Sequence, residues 1–166
     1  MTVLSVNHTE QIVNAIVALL QQRERAVFAT RQSDLAKGLS PSVYVRHAHL
    51  HIQQPDAGFL TQLALNNSQH PAVATTLDAM SYGVQIHISL HSQLLKALPV
   101  SGLNRLPLTF SDHLGQAIRL CAKSVIGYSD VIGLKSGILV IAPRSLLTPL
   151  ASDILTQRHI QWIRPE

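Results

Sequence analysis

The chain has 166 residues, 46% of them hydrophobic and 13% charged, which suits one compact domain burying about two thirds of its unfolded surface and excludes bulk disorder, a charged coiled coil and a second large domain. The formal charge of +4 comes from 13 Lys and Arg against 9 Asp and Glu spread along the chain, so no basic stripe is available for nucleic-acid phosphates. Aromatic residues at 4% offer no stacking platform for single strands.

Residues 7–24 form the first clear element. Ile12, Val13, Ile16, Val17, Leu19 and Leu20 recur at helical spacing, while Gln11, Asn14, Gln21, Gln22 and Arg23 take the other face, the pattern of an amphipathic helix. Asn7 with Glu10 three residues on reads as its cap. Residues 26–29 predict a short strand, and Ser33 opens a short helix that Gly38 ends. The stretch to Ser42 is the linker candidate, so the expected organisation is a helix and the start of a linker over 1–30, then a single α/β domain over 31–166.

From 42 to 53 the sequence alternates: Val43, Val45, His47, His49 and His51 share one parity, against Tyr44, Arg46, Ala48, Leu50 and Ile52. This predicts one strand or two joined by a bend. Asp56 caps a helix carrying Phe59, Leu60, Leu63 and Leu65, and a second helix runs from Pro71 to Ser81 before Gly83 stops it. Residues 84–90 read as a β-branched strand, and residues 92–98 return to helix with Ser92 as the cap. Four short apolar runs follow, at 106–110, 116–120, 124–126 and 137–141, separated by turn signals. Thr148 and Pro149 open a last helix before a final strand at 160–163. The fold class is therefore α/β: a layered mixed sheet with flanking helices, an N-terminal amphipathic helix and a strand-rich C-terminal half.

The chemistry-bearing residues are sparse. A lone Cys121 excludes an internal disulfide and fits a reducing compartment; within its apolar stretch it reads as a small buried hydrophobe rather than a nucleophile. No 18-residue apolar run and no cationic segment ahead of the first apolar stretch occur, so neither a membrane span nor a secretory signal is expected. Neither G-x-G-x-x-G nor G-x-x-x-x-G-K-[ST] is present, no G-x-S-x-G elbow surrounds Ser89 or Ser92, and the acids stand singly. No catalytic residue can be nominated, the chain is not expected to be an enzyme, and no cofactor is expected.

Nine histidines are the unusual count, since their full protonation would take the formal charge from +4 to +13. His47, His49 and His51 at alternate positions would share one strand face, with His87 and His91 on or beside a later strand as further ligands for a borderline metal such as zinc. Against this, three alternate positions span roughly 13 Å, so that at most two reach one ion, and a polar, half-exposed strand face is the simpler reading. The amphipathic helix likewise has two readings, packing on the domain's own core or docking into a partner's groove from a pliable segment.

The run Ile88-Ser89-Leu90-His91-Ser92-Gln93-Leu94-Leu95 with Leu98-Pro99, then Leu106-Pro107-Leu108 and Phe110, Ser124-Val125 with Tyr128 and Asp130-Val131, and Leu147-Thr148 to Ala151 with Asp153 and Ile160 resembles the protein M family of the bacterial propanediol-utilisation microcompartment. The resemblance covers most of the chain, and least of it in residues 1–40. It implies a cytosolic, non-catalytic protein of a protein-shelled organelle, needed for its assembly or organisation, with shell proteins as partners and a homo-oligomer left open. It carries over no catalytic residue. By similarity to the short shell-binding helices of microcompartment cargo, Ile12, Val13, Ile16, Val17 and Leu20 become the expected partner-binding residues. The alternative is an accessory protein of the same pathway that holds a metal, cofactor or small molecule on the histidine-bearing sheet face.

Overall fold

The computed structural model describes residues 2–166, with side chains from residue 6 onward. A long helix, α1 (Thr2–Arg25), leads into strand β1 (Val27–Arg31). The helix begins ahead of Asn7, so Asn7 and Glu10 lie inside it and are not its cap. Residues 26–42 are not a linker either: they hold β1, helix α2 (Gln32–Leu35) and the start of α3 (Pro41–Arg46), and Leu35 is fully buried. Gly38 closes this segment at φ +80°, a left-handed position that suits glycine.

Helix α3 replaces the first half of the strand expected at 42–53. Ser40 accepts a hydrogen bond from the Ser42 amide and Pro41 stands in the first turn, so a preformed helix start outweighs the β-branched alternation of Val43 and Val45. His47 consequently ends α3, where its Nδ1 donates to the Val43 carbonyl at 2.9 Å, and the strand β2 is His49–Gln53. Helix α4 (Ala57–Ala64) is capped by Asp56 through the Phe59 amide, and α5 (Pro71–Ser81) starts on its proline. Phe59, Leu60 and Leu63 are buried as expected, whereas Leu65 lies beyond the helix and faces solvent.

Strand β3 (Gln85–Leu90) is followed by a 3₁₀ helix (Ser92–Ala97), α6 (Val100–Leu103) and β4 (Leu108–Asp112). The cap of the 3₁₀ helix is His91, whose Nδ1 accepts from the Gln93 amide, and not Ser92. The remainder comprises β5 (Ala117–Cys121), β6 (Val125–Ile126), α7 (Tyr128–Val131), β7 (Ile138–Ile141), β8 (Leu146–Leu147), α8 (Pro149–Gln157) and β9 (Gln161–Ile163). Thr148 caps α8 as the sequence predicts.

Seven strands form one sheet in the order β1-β2-β3-β4-β5-β7-β9, and β6 with β8 form a small second ladder. The first four strands are parallel, β4 and β5 are antiparallel, and β5, β7 and β9 are again parallel. The joint between these halves is short, for β4 and β5 pair only at Phe110 with Ile118 and Ser111 with Ala117.

Two cores lie on opposite faces. Leu50, Ile52, Ile86, Ile88 and Phe110 pack with Leu35, Phe59, Leu60, Leu63, Val73 and Leu103 from α2, α4, α5 and α6, and the same face continues through Ile118, Ile138 and Val140. Leu139 and Ile141, which alternate with Ile138 and Val140, instead pack with Val131, Ala151 and Leu155 of α7 and α8. All four residues of β7 are therefore buried, as a strand covered on both sides requires. Cys121 is half-buried against the second core rather than fully buried.

Candidate functional site

The parallel half has helices on one face only. Its other face carries Val27, Ala29 and Arg31 from β1, His49, His51 and Gln53 from β2, Gln85, His87 and Ser89 from β3, and Thr109 and Ser111 from β4, by strand parity and register. No Asp or Glu stands among these positions. Parallel sheets are ordinarily covered on both faces, so the histidines occupy a surface that their own chain leaves open.

His51 and His87 are register partners whose rings meet edge to face at 5.1 Å. Thr109 donates to the Ile86 carbonyl, so its oxygen accepts from His87 Nδ1 at 2.8 Å, and His87 Nε2 hydrogen-bonds the Ser111 hydroxyl at 2.8 Å. With the Thr109 hydroxyl proton committed to the Ile86 carbonyl, this network places a proton on His87 Nδ1. His49 is turned elsewhere, its Nε2 donating to the Glu24 carbonyl at 2.9 Å. His51 Nε2 is buried without a hydrogen-bond partner.

The five histidines singled out from the sequence thus do not converge. His47 has left the strand for the end of α3, His91 lies past the end of β3 stacked on His113 at 4.6 Å, and only His51 and His87 touch. Among the described residues no group of three His, Cys, Asp or Glu side chains is arranged to hold a metal ion.

Desolvation, and secondarily the neighbouring His51, lowers the pKa of His87 from its ordinary 6.5. Its charged form is therefore less favoured in the folded chain than in the unfolded one. The stability tied to His87 is complete above about pH 6.5 and is lost as pH falls through the lower folded value. Thermal melts between pH 7.5 and 5 should show falling stability that flattens in His87→Gln; an unchanged pH profile in the variant would assign the loss to other groups.

The second candidate is α1. Ile12, Val13, Ile16, Val17, Leu19 and Leu20 are 45–65% exposed, so the apolar stripe does not pack on the domain's own core. At about 100° per residue these positions and Val6 fall in one arc of roughly 160°, interrupted between residues 6 and 20 only by Thr9 and ended in the last turn by Arg23 and Glu24. Nor is the helix joined by a pliable segment. Arg23 Nε donates to the Tyr44 carbonyl at 3.1 Å and its Nη2 to that of Tyr82 at 3.2 Å, while the Arg23 carbonyl accepts from the Ala48 amide at 2.9 Å. With the His49 bond to Glu24, these contacts fix the last turn of α1 against the sheet. The importance of Arg23 was not readable from the sequence, where it is one of several scattered cations.

Two cavities open on the surface. One of about 440 Å³ lies at the carboxyl ends of β2 and β3, between Gln53, Gln54, Ser89, His91 and His113, a usual ligand position in parallel α/β sheets. The other, of about 570 Å³, opens where β4 and β5 part.

Residues 11–161 match a family described as putative propanediol utilisation, PDU-like. The chain is similar to the bacterial microcompartment assembly protein PduM of Citrobacter freundii, at 34% identity over 95% of this chain and 96% of that protein. It is similar to the protein of the same name from Salmonella typhimurium strain LT2, at 36% identity over the same shares. No solved structure gives a significant match.

Proposed function

This chain belongs to the PDU-like family of putative propanediol-utilisation proteins, and from that premise we propose that it is a non-catalytic assembly protein of a cytoplasmic bacterial microcompartment which contacts shell proteins through α1. Relatives matched along nearly their whole length bear the name of microcompartment assembly protein, which supports the assembly role. The single structural observation behind the contact is the exposed apolar arc of α1, held on an anchored helix. A patch of this kind on a protein with so few charges is a recurrent sign of a protein interface. No helix among the described residues is long and apolar enough to cross a membrane, and the polar face of α1 is rich in glutamine rather than lysine or arginine, which disfavours an anionic lipid surface as the partner.

The test is the double variant Ile16→Gln/Leu20→Gln. Both side chains are about half exposed and glutamine keeps helix propensity, so the melting temperature should stay within about 2 °C of the parent, the scale expected of surface substitutions. Co-purification with intact shells should be lost. Retained co-purification would remove α1 from the contact, and an unfolded variant would show that the stripe belongs to the core.

A further inference from the structure

We propose that the cleft between β4 and β5 binds an amphipathic carboxylic acid, an aliphatic chain ending in a carboxylate. The cleft follows from the topology. β3 and β4 pair at five positions and β5 and β7 at four, but β4 and β5 pair at only two. Past Phe110 and Ile118 the strands diverge and leave a cavity of about 570 Å³, within the range of small-molecule sites.

The lining has two chemical parts. Leu106, Leu108 and Leu120 stand around the opening only partly buried, although each packs on the first core, and Leu134 adds a wall from the segment after α7. Arg119 and Lys135 join the same lining. No lining residue is acidic, and neither cation has a hydrogen-bond or ion-pair partner among the described residues. Half-covered leucines gain by burying an aliphatic chain. A guanidinium and an ammonium without partners match a carboxylate head, Arg119 in a bidentate pair and Lys135 as a point charge. A neutral apolar ligand would leave the cations unused, and a bare anion would leave the leucines wet.

Octanoate below its micelle concentration serves as the probe, with acetate supplying the head alone and 1-octanol the chain alone. Amide resonances followed by NMR should show saturable shifts at 108–110, 118–120 and 134–136 with octanoate. Acetate should produce none, and 1-octanol should bind at least tenfold more weakly. Arg119→Gln/Lys135→Gln should weaken octanoate binding tenfold or more without changing the melting temperature of the free protein, because both side chains are exposed. Shifts that fail to saturate, that map outside the cleft, or that keep their affinity in the double variant would overturn the assignment. Should the double variant misfold, the single variants R119Q and K135Q decide by the same criterion.

Discussion

Gly137→Ala should lower stability by about 3 kcal/mol, a combination of the penalty for a side chain at positive φ and the strain of an overpacked contact. Gly137 sits at φ +100°, and a Cβ there would collide with the Ala117 carbonyl oxygen. A flexible side chain could swing away from such a contact, but a strand carbonyl cannot move without its ladder. Ala117 is also one of the two β5 residues that pair with β4, so the displacement falls on the narrow joint between the half-sheets. At about 2–4 °C per kcal/mol for a chain of this length, the melting temperature should drop by roughly 6–12 °C. A drop of less than about 2 °C would mean that the turn at 135–137 yields freely and that the joint is not under constraint.

Ile88→Ala should be comparably severe, at about 2–5 kcal/mol, because it removes buried methyl groups and leaves a cavity the surroundings fill incompletely. Ile88 is fully buried at the centre of the parallel half, with Ile52 and Phe110 as register partners and the α4 and α5 side chains above it. The neighbouring position makes the control. His87 points to the uncovered face, so His87→Gln above pH 7 should cost only what two hydroxyl contacts supply, about 1 kcal/mol. Denaturant melts of the two variants measure the asymmetry of the sheet directly. Equal losses would show that the histidine face is as tightly packed as the helix-covered one.

How much of this was legible in the sequence depends on whether the signal is local. Helix α5 and the start of α8 carry their own punctuation, a proline in the first turn and, for α8, the Thr148 hydroxyl, and β3 to β7 and β9 lie within about two residues of their apolar runs, whereas the two-residue β8 (Leu146–Leu147) is too short to show as a run and was not expected. Residues 42–46 misled because Val43 and Val45 alternate like a strand while Ser40 and Pro41 start a helix, and the latter prevailed. The apolar stripe of α1 was plain, but periodicity tells which face is apolar, not whether anything covers it. The division of helices between the two sheet faces was beyond reach, since it depends on pairings between distant strands. For the same reason the cleft could not be foreseen, because Leu108, Arg119 and Lys135 come from three separate segments and none is distinctive in its own.

The anchoring of α1 bears on how a partner would be held. A helix of 24 residues is about 36 Å long, and the bonds of Arg23 and His49 clamp only its final turn. A flexible tether lets the attached body wander and dilutes its local concentration as it lengthens. A clamped helix behaves instead as a spacer of set length and bearing, so that copies seated side by side on one surface would present their sheets at the same height and with the same orientation.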